Sequence, residues 1–270
     1  MPIEGSNSQR LLHPFLPGVL RYASRVLAAV ADDKRMHAAV NLLGTAGAPD
    51  GSTVARFSDS LEINLADAKE VEKFRQSPLH YETQFEITPG SYTLKLAFPS
   101  GGEAFGKAGA PIVIEPYAAD QFSISSLALS KGVRRTSEAG AQIEAALLED
   151  KTPLIAKDLQ VIPSGSNRFV KGEPAMFYFE IYEPLLAKPD PQNPTRLAIE
   201  IRILDRATGD VKSDSGIMQL DVSGNAGRPV IPQALRMSVQ ALAPGSYLLE
   251  LSAADSARNL AKRTVDFDLK

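Results

Sequence analysis

Short stretches in which apolar and polar residues alternate dominate the chain. They include residues 36–42, 61–65, 81–87, 92–98, 197–203 and 235–239. Alternation with a period of two places every second side chain on one face of a β-strand, whereas an amphipathic helix needs a period near 3.6. Turn signals rich in Gly and Pro separate the stretches. Residues 141–148 have helical propensity, with room for about two turns. The pattern predicts an all-β fold.

One motif occurs twice. Residues 87–96 and 242–251 both consist of an apolar residue, a Pro-Gly corner, a Ser-Tyr pair and then alternation, with the tyrosines Tyr92 and Tyr247 lying 155 residues apart. A Ser-Asp-Ser match at 58–60 and 213–215 has the same offset. Two matches at one offset predict a duplicated β-sandwich module.

The two corner tyrosines suggest which kind of sandwich this is. Immunoglobulin-like and fibronectin-like sandwiches often place a tyrosine near the start of strand F, with its hydroxyl bonded to nearby backbone. Tyr92 and Tyr247 occupy the matching position after each Pro-Gly corner. The alternative is that each is a large core residue at a hairpin. We predict two tandem immunoglobulin/fibronectin-like β-sandwich domains.

Domain boundaries follow from the two corners and the loops between them. We place the first sandwich at 35–118 and the second at 119–270, with 115–120 as the joint. Residues 1–34 form an N-terminal segment of uncertain structure. Its apolar positions between 19 and 30 fit a helical stripe, but residues 25–30 could also form a strand, and the strand is the preferred interpretation.

Composition narrows the classes of function. With 44% apolar residues in 270, the chain is long enough for two ordinary cores, and the absence of Cys excludes disulfides, thiolate metal sites and thiol catalysis. The net charge of −3, with acids and bases interspersed, predicts no nucleic-acid partner. Prolines and arginines interrupt the apolar stretch 11–31, which therefore resembles neither a membrane span nor a signal peptide.

Motifs for catalysis and metal binding are not recognisable. The chain has three imidazoles, His13, His37 and His80, and no Gly-x-Ser-x-Gly elbow, which argues against a hydrolase triad. Residues 221–225 resemble a von Willebrand A-type metal-adhesion loop with Asn225 in place of its second serine. The glycine and prolines that follow exclude the helix into which such a loop leads. We predict no catalytic residue, no metal and no cofactor.

One polar and aromatic row is a candidate contact surface. Tyr178, Glu180 and Tyr182 share the strand face opposite Phe177 and Phe179, and two rings on one face could stack on sugars or anchor a protein. The alternative is that a neighbouring module or a loop covers this face. Exposed aromatic patches are uncommon on stable domains, which favours the alternative.

Several longer strings carry a family resemblance. The chain resembles the carboxy-terminal region of acidobacterial von Willebrand factor A-related (VWFA-related) proteins from about residue 35 to the end, on the strings 55–59, 101–107, 145–154, 163–169 and 180–186. The resemblance implies an exported or envelope protein in which an A-type domain precedes β-sandwich modules. This chain contains no A-type domain, so no metal-binding residue is carried over from the family.

These observations lead to a functional hypothesis. The chain is expected to be a non-catalytic interaction or structural module of a cell-envelope or secreted protein, binding another protein or an A-type domain through loops or sheet edges. The alternative is a carbohydrate-binding module that uses Tyr178 and Tyr182. An enzyme whose site is assembled from scattered carboxylates is a third hypothesis. An extracytoplasmic location follows from the resemblance alone.

Overall fold

The computed structural model describes residues 36–65, 67, 69–70, 84–99, 105–116, 118, 120–148 and 152–270. Antiparallel strands make up nearly all of their regular structure, which confirms the predicted all-β class. The chain divides into two compact units, with a boundary after residue 116.

The described part of the first unit is one antiparallel sheet. Strands β1 (Met36–Gly47), β2 (Thr53–Leu65), β3 (Gly90–Pro99) and β4 (Phe105–Ile114) lie in the order β2-β1-β3-β4. One face is buried through alternate residues: Leu42, Ala46, Tyr92, Leu96, Ala110, Ile112 and Ile114. A first β-sandwich over 35–118 stays a prediction, since the described strands supply one of its two layers.

Two strand predictions in this unit need correction. The strand predicted at 61–65 is the end of a longer one, β2, because Ser58 to Ser60 continue its pairing with β1. Residues 84–87 were predicted to continue a strand from 81 but are not in one. Residues 81–83 lie outside the described residues.

The described part of the second unit contains two sheets. Its strands are β5 (Ser123–Ile124), β6 (Ala128–Arg135), β7 (Leu154–Ala156), β8 (Leu159–Pro163), β9 (Arg168–Phe169), β10 (Met176–Tyr182), β11 (Leu197–Asp205), β12 (Val211–Leu220), β13 (Val230–Arg236), β14 (Gly245–Asp255) and β15 (Leu260–Leu269). The first sheet has the order β13-β10-β6-β8-β7, with β5 also on β10; the second has the order β12-β11-β14-β15-β9. Every pairing is antiparallel except that of β15 with β9.

Helices are minor elements in the described part of the chain. The α-helix α1 (Thr136–Leu148) has 13 residues, longer than the two turns predicted for 141–148 because residues 136–140 extend it. One-turn 3-10 helices occupy Pro184–Ala187 and Ser223–Asn225.

A single apolar core joins the two sheets of the second unit. Phe177, Phe179 and Ile181 from β10 pack with Leu249 and Leu251 from β14, all fully buried. The six-stranded sheet also curls, because β7 and β13 approach within 8 Å between Cα atoms although they lie at opposite ends of its order. A smaller cluster lies on the other face of this sheet and consists of Ala128, Leu154, Ala156, Val161 and Tyr178.

The repeat found in the sequence has a structural counterpart. Strands β12-β11-β14-β15 follow the same order as β2-β1-β3-β4. Tyr92 pairs with Ile112, and Tyr247 pairs with Phe267. Tyr247 lies 155 residues after Tyr92, and Phe267 lies 155 residues after Ile112. The corner hairpins are therefore equivalent in register.

The Ser-Asp-Ser match has no such equivalence. Thr93 and Leu248 are equivalent positions of the repeat. Gly47 pairs with Thr93 and Leu204 pairs with Leu248, so Gly47 is equivalent to Leu204. Four residues earlier in each strand, Leu43 is therefore equivalent to Glu200. Ser58 lies opposite Leu43, whereas Ser213 lies opposite Ile203, three residues beyond Glu200. Register shifts between β11 and β12 remove the correspondence that the shared offset suggests.

Candidate interaction surfaces

The row Tyr178, Glu180 and Tyr182 is buried. These side chains share one face of β10, as the alternation predicts, but the residues are only 1%, 5% and 4% exposed. Each tyrosine hydroxyl donates a 2.7 Å hydrogen bond to Glu180, Tyr178 to Oε1 and Tyr182 to Oε2. Their prediction as a ligand or partner contact is therefore wrong, and the carbohydrate-binding alternative loses the exposed rings it required.

The position of β10 explains this burial. The strand lies between β13 and β6, and its other face enters the main core through Phe177, Phe179 and Ile181. All seven of its residues are buried. Six of the seven are apolar or aromatic, and such a near-continuous run is typical of a strand covered on both faces. The sequence therefore contained a sign that both faces of this strand are buried, in addition to the alternation that suggested an exposed row.

The two corner tyrosines make matching contacts. The Tyr92 hydroxyl donates to the Thr88 carbonyl oxygen at 2.9 Å, and the Tyr247 hydroxyl to that of Ala243 at 2.7 Å. Both acceptors lie four residues upstream, across the Pro-Gly corner. At the first corner a Cβ on Gly90 would lie 2.8 Å from the Tyr92 hydroxyl oxygen, so only glycine fits there. The hydroxyls thus tie each bend to its following strand.

Removing either corner hydroxyl is expected to destabilise its unit. Tyr92→Phe and Tyr247→Phe should each lower the free energy of unfolding by about 1 kcal/mol, since a carbonyl loses its donor while ring packing is kept. Urea denaturation followed by circular dichroism measures this. Tyr247→Leu serves as the packing control and should cost more, because it also removes the stack on Phe267. An unchanged midpoint for Tyr247→Phe would contradict a structural role of the hydroxyl.

An ion cluster covers the outer face of the five-stranded sheet. Glu250 on β14 is 5% exposed and accepts hydrogen bonds from Arg202 on β11 and Lys262 on β15. Burial raises the pKa of the Glu250 carboxyl, but the hydrogen bonds from Lys262 and Arg202 outweigh burial and hold the pKa below 4.5. The two cations of this cluster therefore share a carboxylate that the chain itself supplies.

The metal-adhesion-like loop has a local structural use. Asp221 Oδ1 accepts from the Ser223 backbone N–H at 3.0 Å and from the Ser223 hydroxyl at 2.7 Å, and these bonds lower the pKa of the carboxyl. The contacts form a turn into the 3-10 helix at Ser223–Asn225. Within the described ranges, no three His, Asp or Glu side chains cluster closely enough to hold a metal ion.

The remaining sequence observations concern histidines and membrane spans. His37 lies in β1, while His13 and His80 fall outside the described residues. In the part of the chain that the structure describes, no helix has the length and apolar character needed to cross a bilayer.

Most of the described sheet edges are protected against pairing with another chain. β4 contains Pro111 and β13 contains Pro232, neither of which can donate a backbone hydrogen bond. β7 and β9 have three and two residues. Short edges and edge prolines are two of the devices by which native proteins prevent association of their sheets.

The edge strand β12 is interrupted. Its pairing with β11 shifts register twice, and Gly216 adopts a φ of +61°. The Ser215 hydroxyl accepts from the Ile201 backbone N–H at 2.9 Å, where a strand residue would otherwise supply a carbonyl. Bulges of this kind twist an edge away from incoming strands.

The equivalent strand of the first unit, β2, has a single register shift, at its start, where Gly47 pairs with Thr53 and Ala46 with Ala55. It has 13 residues and no proline, and its pairing with β1 keeps one register from Ala55 to Leu65. Ser60 donates its backbone N–H to Asp59 Oδ1 at 2.8 Å, which shows that this N–H is not used in the ladder with β1. Because backbone groups alternate in direction along an antiparallel strand, Arg56 and Ser58 direct theirs outward as well.

The family and curated-sequence comparisons found no match: no protein-family model matches the chain, and no curated protein sequence matches it. The sheets and edges described above therefore carry the functional interpretation.

Proposed function

We propose that the protein is a non-catalytic interaction module that binds an extended segment of a partner protein along β2. The observation that carries the proposal is the contrast between the described edges: β2 is long, proline-free and in one register from Ala55 to Leu65, whereas β4, β7, β9, β12 and β13 are each shortened, bulged or proline-containing. A strand added to such an edge gains main-chain hydrogen bonds along its length.

The residues along β2 are suited to a protein ligand. Arg56 and Ser58 share one face of the strand and are exposed, as is Val54 at the register shift. Main-chain pairing supplies affinity in this mode of binding, while alternate side chains select the partner. The outward row combines an apolar, a cationic and a hydroxyl side chain, which favours a segment of mixed sequence over a purely apolar one.

Proline at position 58 is expected to abolish this binding. Ten-residue peptides selected from a random library against the purified full chain serve as the probe. Ser58→Pro removes an outward N–H and places a ring on the edge, so affinity should fall at least tenfold, whereas Ser58→Thr keeps the donor and should bind within about twofold of wild type. Fluorescence anisotropy gives the affinities, and circular dichroism verifies that Ser58→Pro is folded.

Hydrogen–deuterium exchange locates the contact. Bound peptide should slow exchange of the outward amides of Arg56 and Ser58, because pairing with a new strand buries them. Peptides that protect only another part of the chain, or that bind Ser58→Pro as well as wild type, would contradict strand addition at β2.

The proposed setting is the cell envelope or the secreted fraction, and the proposed partner class includes an A-type domain. Both are supported by the resemblance to VWFA-related proteins. An antibody against the chain should detect the native protein in periplasmic or culture-medium fractions, and finding it only with cytosolic markers would contradict the setting. A purified A-type domain that protects the β2 amides in the same exchange experiment would support that partner.

A further inference from the structure

The outer face of the first sheet carries a row of cations. Arg56 in β2 lies opposite Thr45 in β1, and Thr45 lies opposite Lys95 in β3. Lys107 in β4 lies opposite Ala97, one diagonal step from Lys95 on the same face. Since adjacent strands are about 4.8 Å apart, Arg56 and Lys95 are separated by about 10 Å across the sheet.

A depression occupies the same face. Its volume is about 720 Å³, and the residues that line it include Lys95, Lys107, Thr45, Thr93, Ala97 and Gly109. The small side chains beside the lysines leave space above the sheet, and the threonine hydroxyls add hydrogen-bond donors. The floor is therefore open to a ligand that approaches the ammonium groups from outside.

The second unit shows what normally fills these positions. By strand pairing, Lys95 is equivalent to Glu250, Lys107 to Lys262, and Thr45 to Arg202. There, Glu250 accepts from both neighbouring cations. In the first unit Lys95 replaces that glutamate. The cations Arg56, Lys95 and Lys107 therefore have no carboxylate at the position that Glu250 occupies in the second unit.

No described carboxylate neutralises the first group. Arg56, Lys95 and Lys107 make no ion pair among the described residues, although seven other ion pairs occur there. Asp59 in β2 pairs with the buried Leu42 and so belongs to the opposite face. Like charges on neighbouring positions of one sheet face destabilise it unless an anion lies between them.

We infer that this face binds the carboxylates of an acidic protein segment, with one Asp or Glu side chain held between the ammonium groups of Lys95 and Lys107. Arg56 lies within reach of a second carboxylate farther along the same segment. Carboxylate is the favoured anion because it is the group that the equivalent position of this chain already uses. This contact does not require a strand on the outer edge of β2, since it lies on the face of β3 and β4.

Lys95→Glu is the informative substitution, since it restores the charge pattern of the second unit. Fluorescein-labelled hexaglutamate is the probe, titrated into the full chain at about 20 mM salt and followed by anisotropy. Wild type should bind, and Lys95→Glu should weaken binding at least tenfold because Lys107 gains an internal partner. Lys107→Glu should weaken it similarly, and about 150 mM salt should weaken wild-type binding, as expected for exposed charges.

Two controls separate this face from net charge and from strand addition. Lys171→Glu makes the same charge change at an exposed turn in the second unit and should bind hexaglutamate within about twofold of wild type. Ser58→Pro should also bind it normally, although it loses the selected extended peptides. Hexaglutamate binding that Lys95→Glu does not weaken would overturn the inference. Phosphatidylglycerol vesicles that bind through Lys95 while hexaglutamate does not would overturn it in favour of a lipid surface.

Discussion

Replacing Glu180 by alanine is expected to lower the free energy of unfolding by about 3–5 kcal/mol. The carboxylate accepts hydrogen bonds from Tyr178 and Tyr182 within a strand that is buried along its whole length. Depriving a buried hydroxyl of its acceptor costs about 1–3 kcal/mol, and two hydroxyls are affected at once. Urea denaturation followed by far-ultraviolet circular dichroism measures the loss.

Two comparisons make this result specific to the tyrosine contacts. Glu138→Ala removes an exposed carboxylate from α1 and should change stability by less than about 0.5 kcal/mol. In a Tyr178→Phe/Tyr182→Phe background, Glu180→Ala should cost at least about 1 kcal/mol less than it does alone, because the hydroxyls that depend on it are absent. Equal costs in both backgrounds would show that the hydroxyls are not coupled to Glu180.

The second large effect concerns Glu183, which follows β10 directly. This residue is fully buried; its Oε1 accepts from the Leu185 backbone N–H at 2.9 Å, while its Oε2 has no hydrogen-bond partner. Burial raises the pKa of the Glu183 carboxyl, and the negative charge of Asp255 adds to the increase, against the lowering effect of the Leu185 hydrogen bond. The folded state therefore favours the protonated carboxyl.

The contribution of Glu183 to stability should consequently fall as the pH rises past the ordinary carboxyl pKa of 4.5. Because the folded pKa lies above the unfolded one, the folded state binds more protons in the interval between them. The contribution of Glu183 is complete below the unfolded pKa and is lost as the pH rises through the folded pKa. Glu183→Gln cannot ionise, so it should remove this slope and be about 1–2 kcal/mol more stable than wild type at pH 8.

Unfolding free energies between pH 4 and pH 8 test this expectation. The matched control is Glu138→Gln, which changes an exposed carboxyl on α1 and should keep the wild-type pH profile. If Glu183→Gln loses stability at pH 8 relative to wild type, the buried carboxylate has a stabilising role when ionised and the expectation is wrong.

The tyrosine corners illustrate how much a local pattern can predict. A Pro-Gly bend followed by a tyrosine fixes the distance between the ring and the carbonyl four residues earlier, and both hydroxyls make that bond. All the atoms involved lie within one short segment. The shared offset of the hairpins, which the pairing of Tyr92 with Ile112 and Tyr247 with Phe267 preserves, is local for the same reason.

The tyrosine row on β10 illustrates the opposite case. Alternation placed Tyr178, Glu180 and Tyr182 on one face, but it contains no information about what lies over that face. The burial of Tyr178 depends on Leu154 and Val161 from β7 and β8, segments separated from it in sequence and brought near by the curl of the sheet.

The edges and the cation row depend on nonlocal pairing in the same way. The bulges of β12 arise where β11 and β12 fall out of register. The repeated motif already aligns Lys95 with Glu250, but the cations beside each of them become apparent only once the strands are paired. Each concerns neighbours across a ladder, and neighbours across a ladder are set by register.

The amino-acid sequence by itself determined the all-β class, the faces of most strands and the two tyrosine-bonded corners, because period-two alternation and turn residues act over a few positions. The tertiary structure alone decided which faces are covered and which edges stay open. It did so because coverage and pairing join segments tens of residues apart, and their register is fixed by packing of the whole sheet rather than by any one stretch.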